Sequence, residues 1–423
     1  MQCCTTSSPV QTPIRSGRTL DEKVARIRAN PSGAKDFILA DAKDADMAAG
    51  LAATGKDPVT GKTRSLNDYR DQMREIVKQG LVDIMLMSAS TSEALSIREK
   101  LFENSRVTPA VRANDTTDIH LMAGSTFGAE PSRPFRSATI EHIQSGKIEP
   151  TPEERRLGAD LGLYSITPNN RIEFDYPTVE AYKQFRIEAE RKGFRHFLEV
   201  FDPNACGESC PIDLGRYIND LIARTLAGVP SSGRPLFLKI AYHGAKAMEE
   251  LVEYDPSLIA GILGGSSGTT HDAFTLLQDA RKHGARAALF GRKINNSEHQ
   301  LTFVTYLHAI ANDKIGATEA VKAYHGDLQK MGIKPYRTLN DDLQLTTTAS
   351  SYAGTGTPVP AAKNEQPAMK AAPAAKPAPA KTNGAFPSNA SGTPDFKKMT
   401  SAQKVAYARH RIKSDLARSS GQS

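Results

Sequence analysis

The 423-residue chain has no tryptophan, 6% aromatic residues and only four cysteines, and nowhere does it run apolar for 18 residues. The missing apolar run argues against a membrane-spanning helix. The first residues also lack the apolar core of a secretory signal, so export by that route is not expected. Cys3, Cys4, Cys206 and Cys210 are too few and too clustered for a disulfide framework in a domain of this size, and a reducing, cytoplasmic compartment is the expected home. Cys206-Gly-Glu-Ser-Cys210 offers half of a metal site, yet no Cys/His pair of suitable spacing stands elsewhere, so no metal is expected. Hydrophobic content is 39%, low for a chain folded throughout, and a polar tail accounts for the dilution.

That tail also carries the charge. Residues 351–423 hold 11 Lys/Arg against 3 Asp/Glu, so a whole-chain charge of +7 leaves the first 350 residues at about −1. The sequence pI of 9.1 therefore describes the tail and gives no reason to read the rest as a nucleic-acid binder. From about residue 346 the composition turns to Ala, Pro, Lys and Gly, which cannot bury enough apolar surface to offset the entropy of ordering. Residues 346–396 read as a disordered linker. Thr400-Ser-Ala-Gln403 then has the form of a capping box opening a basic, helical segment within 397–423. Its net positive charge suits an acidic partner, and a solubilising extension with no partner is the alternative.

Before the tail, apolar strand-length runs alternate with helical patterns. Strands are expected to start near residues 37, 82, 107, 159, 194, 235, 258 and 286, which is the count of a (β/α)8 barrel over 33–345. Residues 1–32 read as an N-terminal extension with a helix over 21–29. Helices over 298–311 and 317–330 complete the outer layer. Residues 118–157 break the alternation, with several prolines and glycines, and read as an insertion around the third and fourth βα units. Pro109 makes the third strand awkward, since proline gives no ladder donor.

The run Pro235-Leu-Phe-Leu-Lys239-Ile-Ala-Tyr-His-Gly244 places a lysine inside an apolar strand. Burial disfavours the ammonium and makes a neutral amine available to attack a carbonyl. In a purely structural role the same lysine would snorkel to the strand end or pair with a carboxylate. After it come an apolar run ending in Gly264-Gly265-Ser266 and another ending in Gly291-Arg292-Lys293, at the ends of strands seven and eight, where barrels often hold phosphate. Glu199 lies within the apolar fifth strand and suits either a proton shuttle beside Lys239 or a structural ion pair. Asp41, Asp44 and Asp46 follow the first strand, either at the barrel mouth or in a solvated turn.

Leu238-Lys239-Ile-Ala-Tyr-His-Gly244, the Gly264-Gly265 turn and Phe290-Gly-Arg-Lys293 resemble the class I, Schiff-base aldolases of the archaeal-type fructose-bisphosphate and deoxyribose-phosphate aldolase superfamily. The resemblance is specific over about 235–300, weaker back to about 35 and absent beyond about 345. It implies that Lys239 forms the imine and that the glycines and Arg292 hold the phosphate. It also implies that an aspartate near Asp41 or Asp44 assists proton transfer, although the family's His-Gly after that aspartate is missing here. The family often carries a tyrosine near the end of the fifth strand, where Asp202 is the nearest polar residue here, leaving Tyr164 and Tyr242 as other phenols. A metal-independent lyase acting on a phosphorylated sugar, without cofactor and as a homo-oligomer, is the function so implied. A sugar-phosphate isomerase or epimerase, and an inactive phosphate-binding barrel serving as scaffold, are the alternatives.

Overall fold

A computed structural model describes residues 17–57, 60–211, 213–265 and 268–346, with a few positions beyond: 387, 394–395, 398–400, 403 and 407. Eight parallel strands close on themselves: β1 (Ile38–Lys43), β2 (Ile84–Met87), β3 (Thr108–Arg112), β4 (Leu161–Ile166), β5 (Arg195–Val200), β6 (Leu238–Ile240), β7 (Gly261–Leu263) and β8 (Ala287–Phe290). The seam between β8 and β1 runs in register from Ile38 opposite Ala287 to Asp41 opposite Phe290. This is the (β/α)8 barrel that the strand count predicts.

The strands read as apolar runs because both of their faces are covered. Ile38, Ala40, Ile84, Leu86, Ala110, Leu161, Leu163, Phe197, Phe237, Ala287 and Leu289 share one cluster inside the barrel. Their chain neighbours Leu39, Met85, Met87, Val111, Tyr164, Leu198, Leu238, Ile240, Ala288 and Phe290 belong to another, which reaches the helices. Successive strand side chains point to opposite faces, so parity along each strand decides which residues look into the barrel. Phe197 and Phe237 stack at 4.5 Å across β5 and β6 and fill the interior beneath the mouth.

The helical layer comprises α1 (Thr19–Ala29), α2 (Leu66–Gln79), α3 (Ile140–Ser145), α4 (Ile172–Arg191), α5 (Leu214–Ala227), α6 (Ala245–Tyr254), α7 (Thr270–Lys282), α8 (Gln300–Ala311) and α9 (Ala317–Lys330), with shorter turns between. In α1, Leu20, Val24 and Ile27 fall at helical spacing and join the interior cluster, so this helix closes the end of the barrel opposite the mouth. Lys23 ties it down, donating to the Phe37 carbonyl and to Asp83, each at 2.7 Å. Helix α2 begins with a capping box, Ser65 with Asp68, and ends at Gly80, whose φ of 71° is the left-handed conformation that glycine adopts freely. After β2 the chain is helical over Ala89–Ser92 and continues as the wider π-type coil over Glu93–Arg98.

Two further boundaries move. β1 extends to Lys43 rather than stopping at residue 40, because Asp41 and Lys43 offset each other's charge 3.3 Å apart on one strand face and so let a polar sequence continue a buried strand. β3 includes Pro109, opposite Met85 of β2. In the insertion, Thr139 caps α3 by accepting from the His142 N–H.

The chain divides into two compact units, 1–362 and 363–423. In the second, both halves of the expected capping box form: the Thr400 N–H donates to Gln403 Oε1 at 2.9 Å and the Gln403 N–H to Thr400 Oγ1 at 3.3 Å. The linker expectation over 346–396 falls almost wholly outside the described residues. No helix among the described residues is long and apolar enough to cross a membrane.

Candidate active site

Parity carries five side chains to the mouth. Two residues above the interior Phe237, Lys239 points inward from β6. Two above Phe197, Glu199 does so from β5. Ser165 stands two above Leu163 on β4, and Arg112 two above Ala110 on β3. Asp44 follows Ala42 just past β1. All five are buried, Lys239 at 7% exposure and Glu199 at 1%.

These groups form one connected cluster. Glu199 and Lys239 stand opposite each other in the parallel register, with Nζ 2.5 Å from Oε1. The other carboxylate oxygen of Glu199 accepts from Ser165 Oγ at 2.7 Å and lies 3.5 Å from Arg112 Nη2. Arg112 donates from Nε to Asp44 Oδ2 at 2.5 Å and from Nη1 to Ser165 Oγ at 3.0 Å. Asn114 fixes the Ser165 backbone on both sides, accepting its N–H at 2.6 Å and donating to its carbonyl at 2.8 Å. Asp115, 4.0 Å from Arg112 Nη1, completes the group.

Three carboxylates and two cations out of water persist only because they are paired. Burial pulls the Arg112 guanidinium down, but Asp44, Asp115 and Glu199 together hold it above its ordinary value. For Asp115 burial wins over Arg112 and pushes the carboxyl up to about 6. The cluster thus offers an amine, an acceptor for its proton at hydrogen-bond distance, and further carboxyls within one network, which are the parts needed for carbonyl addition and proton transfer.

Other sequence candidates lie elsewhere. Asp41 faces the helix layer, not the mouth, because it has the parity of Leu39 and pairs in register with Met85 and Phe290 of the outer cluster. Burial raises its carboxyl to about 6 despite Lys43, whose amine stands 5.8 Å from the centre of the Tyr69 ring of α2. Tyr164 also faces outward, stacked on Phe185 of α4 at 4.5 Å. Tyr242 donates to Asp279 of α7 at 2.5 Å. Neither phenol looks into the mouth. Asp202 is engaged by His243 Nε2 at 2.9 Å.

At the ends of β7 and β8 the glycines have packing reasons. A Cβ on Gly264 would lie 2.2 Å from the Phe290 ring, and one on Gly291 would lie 2.5 Å from the Ala42 carbonyl oxygen. The Gly264 N–H is not open to a ligand, since it donates to the Leu289 carbonyl at 2.8 Å. Gly265 takes φ of 63°, and Ser266 lies outside the described residues. Arg292 is half-buried and opens the turn Arg292–Asn295. Burial lowers the Lys293 amine to about 8, and it donates to the Gly268 carbonyl at 2.8 Å. Cys206 and Cys210, beyond β5, are joined by a disulfide.

Arg112, Ser165 and Asp115 are the members of the cluster that sequence reasoning left without a role. Two residues above the interior Ala110, Arg112 at the end of β3 looks into the mouth.

No family model matches the chain, and no curated protein matches it. Among solved structures, it is similar to a Schiff-base-forming fructose-1,6-bisphosphate aldolase at 16% identity and a TM-score of 0.49, over 69% of this chain and 99% of that one. It is similar to an archaeal fructose 1,6-bisphosphate aldolase at 16% identity and 0.48, over 70% and 99%. A putative orotidine-monophosphate decarboxylase from Toxoplasma gondii follows at 13% and 0.37, over 73% and 99%.

Proposed function

We propose that this chain is a metal-independent lyase of the class I aldolase type, making or breaking a C–C bond of a phosphorylated sugar through an imine on Lys239. The observation that carries the reading is the contact of Lys239 with Glu199 inside the mouth of a closed barrel, 2.5 Å between Nζ and Oε1. Glu199 takes a proton from the ammonium, and the freed amine adds to the substrate carbonyl, a second nitrogen proton passing to the oxygen to give the carbinolamine. Returning that proton to the carbinolamine oxygen releases water and leaves an iminium. The iminium accepts the electrons of the breaking C–C bond while a carboxylate removes the proton of the substrate hydroxyl, a role that suits Asp44 at the same mouth. Gly265, Gly291 and Arg292, at the ends of β7 and β8, are the groups proposed for the phosphate.

The test is borohydride reduction in the presence of a panel of phosphorylated ketoses and aldoses, followed by peptide mapping. An adduct on the peptide carrying Lys239 supports the reading; an adduct on another lysine overturns it. The close ion pair also suits a lysine that remains charged, as an isomerase or epimerase would use it. Turnover of a sugar phosphate without any trapped adduct selects that second reading.

A further inference from the structure

Glu199 can accept the lysine proton only if its carboxylate is turned edge-on to Lys239 and kept ionised. Nothing on β5 itself does either, since Leu198 and Val200 face the helices. The control comes from neighbouring strands. Ser165 of β4 and Arg112 of β3 both address Oε2, leaving Oε1 to Lys239. Arg112 also holds Ser165 Oγ by Nη1, so the hydroxyl that donates to Glu199 is itself oriented by the guanidinium.

We propose that Arg112 is a positioning residue of the imine-forming step: its planar fork holds Glu199 with one oxygen presented to Lys239 and couples that carboxylate to Asp44. This rests on the imine reading above and adds to it the group that makes Glu199 a competent acceptor. The step is balanced within the cluster. The proton moves from Lys239 Nζ to Glu199 Oε1, the nitrogen lone pair forms the C–N bond as the carbonyl π pair moves to oxygen, a second nitrogen proton passes to that oxygen to give the neutral carbinolamine, and the proton held by Glu199 then leaves with the hydroxyl as water. Arg112 changes neither protonation nor bonding, as a guanidinium cannot be deprotonated under these conditions. A lysine would not replace it, because one ammonium cannot address Asp44, Ser165 and Glu199 with fixed geometry.

The charged and titratable groups facing Glu199 and Arg112 are Asp44 beyond β1, Asp115 beyond β3 and Lys239 on β6. Without Arg112, three carboxylates share one cation. Their protonation then moves to higher pH, and the acid limb of imine formation must follow.

The experiment measures the rate of borohydride-trapped adduct formation on Lys239 against pH, with dihydroxyacetone phosphate as the probe ketone. The expected result for Arg112→Ala is a loss of about 10- to 100-fold near neutrality, an acid limb displaced to higher pH and partial recovery on adding guanidinium. Arg112→Lys is expected to recover less than guanidinium does. Should Arg112→Ala fail to fold, Ser165→Ala, which removes the hydrogen bond to Oε2 and leaves only the 3.5 Å ion-pair contact of Arg112, carries the test, with a smaller loss and a displacement of the same sign. A wild type that forms no adduct on Lys239 ends the imine reading and this inference together. A wild type that traps normally beside variants with unchanged rate and pH profile ends this inference alone.

Discussion

Glu199 and Lys239 are register partners on adjacent strands, and both point into the barrel because each stands two residues above a phenylalanine of the interior cluster. A pair placed by strand parity cannot drift apart without slipping a strand, which would turn every side chain on it to the other face. Replacing Glu199 by Gln keeps the shape and the contact with Ser165 but removes the proton acceptor. The expected outcome is adduct formation slowed by about 100-fold or more while the folded state persists, checked by trapping rate and thermal melting on the same preparation.

The buried pair on the outer face of β1 should behave oppositely. Asp41 and Lys43 are both 0% exposed and touch the helix layer, so they are structural. Lys43→Met alone leaves a buried carboxylate without its cation and is expected to cost about 3–5 kcal/mol. Asp41→Asn combined with Lys43→Met removes both charges and should be neutral or stabilising by up to about 4 kcal/mol. Urea denaturation of the two variants checks this, and trapping at Lys239 in the double variant should match wild type. A double variant that folds but no longer traps would return Asp41 to the active site.

The contrast between these two pairs shows how far the sequence is legible. Apolar runs at barrel spacing give the strands, and Lys239 with Glu199 stands out because a charge inside such a run is costly. Asp41 misleads for a physical reason: an acidic residue after Phe37-Ile-Leu-Ala40 reads as a strand end, and only the compensating Lys43, at the same parity, lets the strand continue past it. Arg112 is hidden for the converse reason. It ends its strand, where a charged residue needs no explanation, and its partners lie 68 residues away at Asp44 and 53 away at Ser165. The role of α1 is equally silent, since an amphipathic helix before a barrel fits an appendage as well as a plug.

Phosphate recognition should depend on Arg292 and much less on the Gly264 backbone, whose N–H already serves the β7–β8 ladder. Arg292→Ala is expected to weaken binding of a phosphorylated substrate by about 10- to 150-fold, with Lys restoring part. Isothermal titration checks it; equal affinities place the phosphate site elsewhere. Gly291→Ala is a stability test at the same place. Its Cβ would meet the Ala42 carbonyl oxygen at 2.5 Å, so a loss of about 1–3 kcal/mol is expected from forcing the β1–β8 seam apart.

Where the barrel unit ends can be tested through Asp342. Its Oδ1 accepts the Thr270 N–H at 2.7 Å at the start of α7, and its Oδ2 contacts His325 Nε2 at 2.9 Å. Thr346 continues the attachment, donating its N–H to Asp272 at 2.8 Å. A chain ending after Thr346 should therefore keep its stability and trapping, whereas one ending after Thr338 should melt earlier. Burial alone would raise the Asp342 carboxyl, but the Thr270 N–H and His325 outweigh it and hold it below its ordinary value. A carboxyl depressed in the folded state stabilises fully above the unfolded value, and that contribution fades as pH falls through the folded one. Asp342→Asn should cost about 1–3 kcal/mol near neutrality, since a buried N–H loses a charged acceptor. The gap between wild type and variant should narrow steadily on acidification below the ordinary carboxylate range. Urea titrations across that range read it directly. A gap that stays constant would mean that Asp342 acts by packing and not by charge.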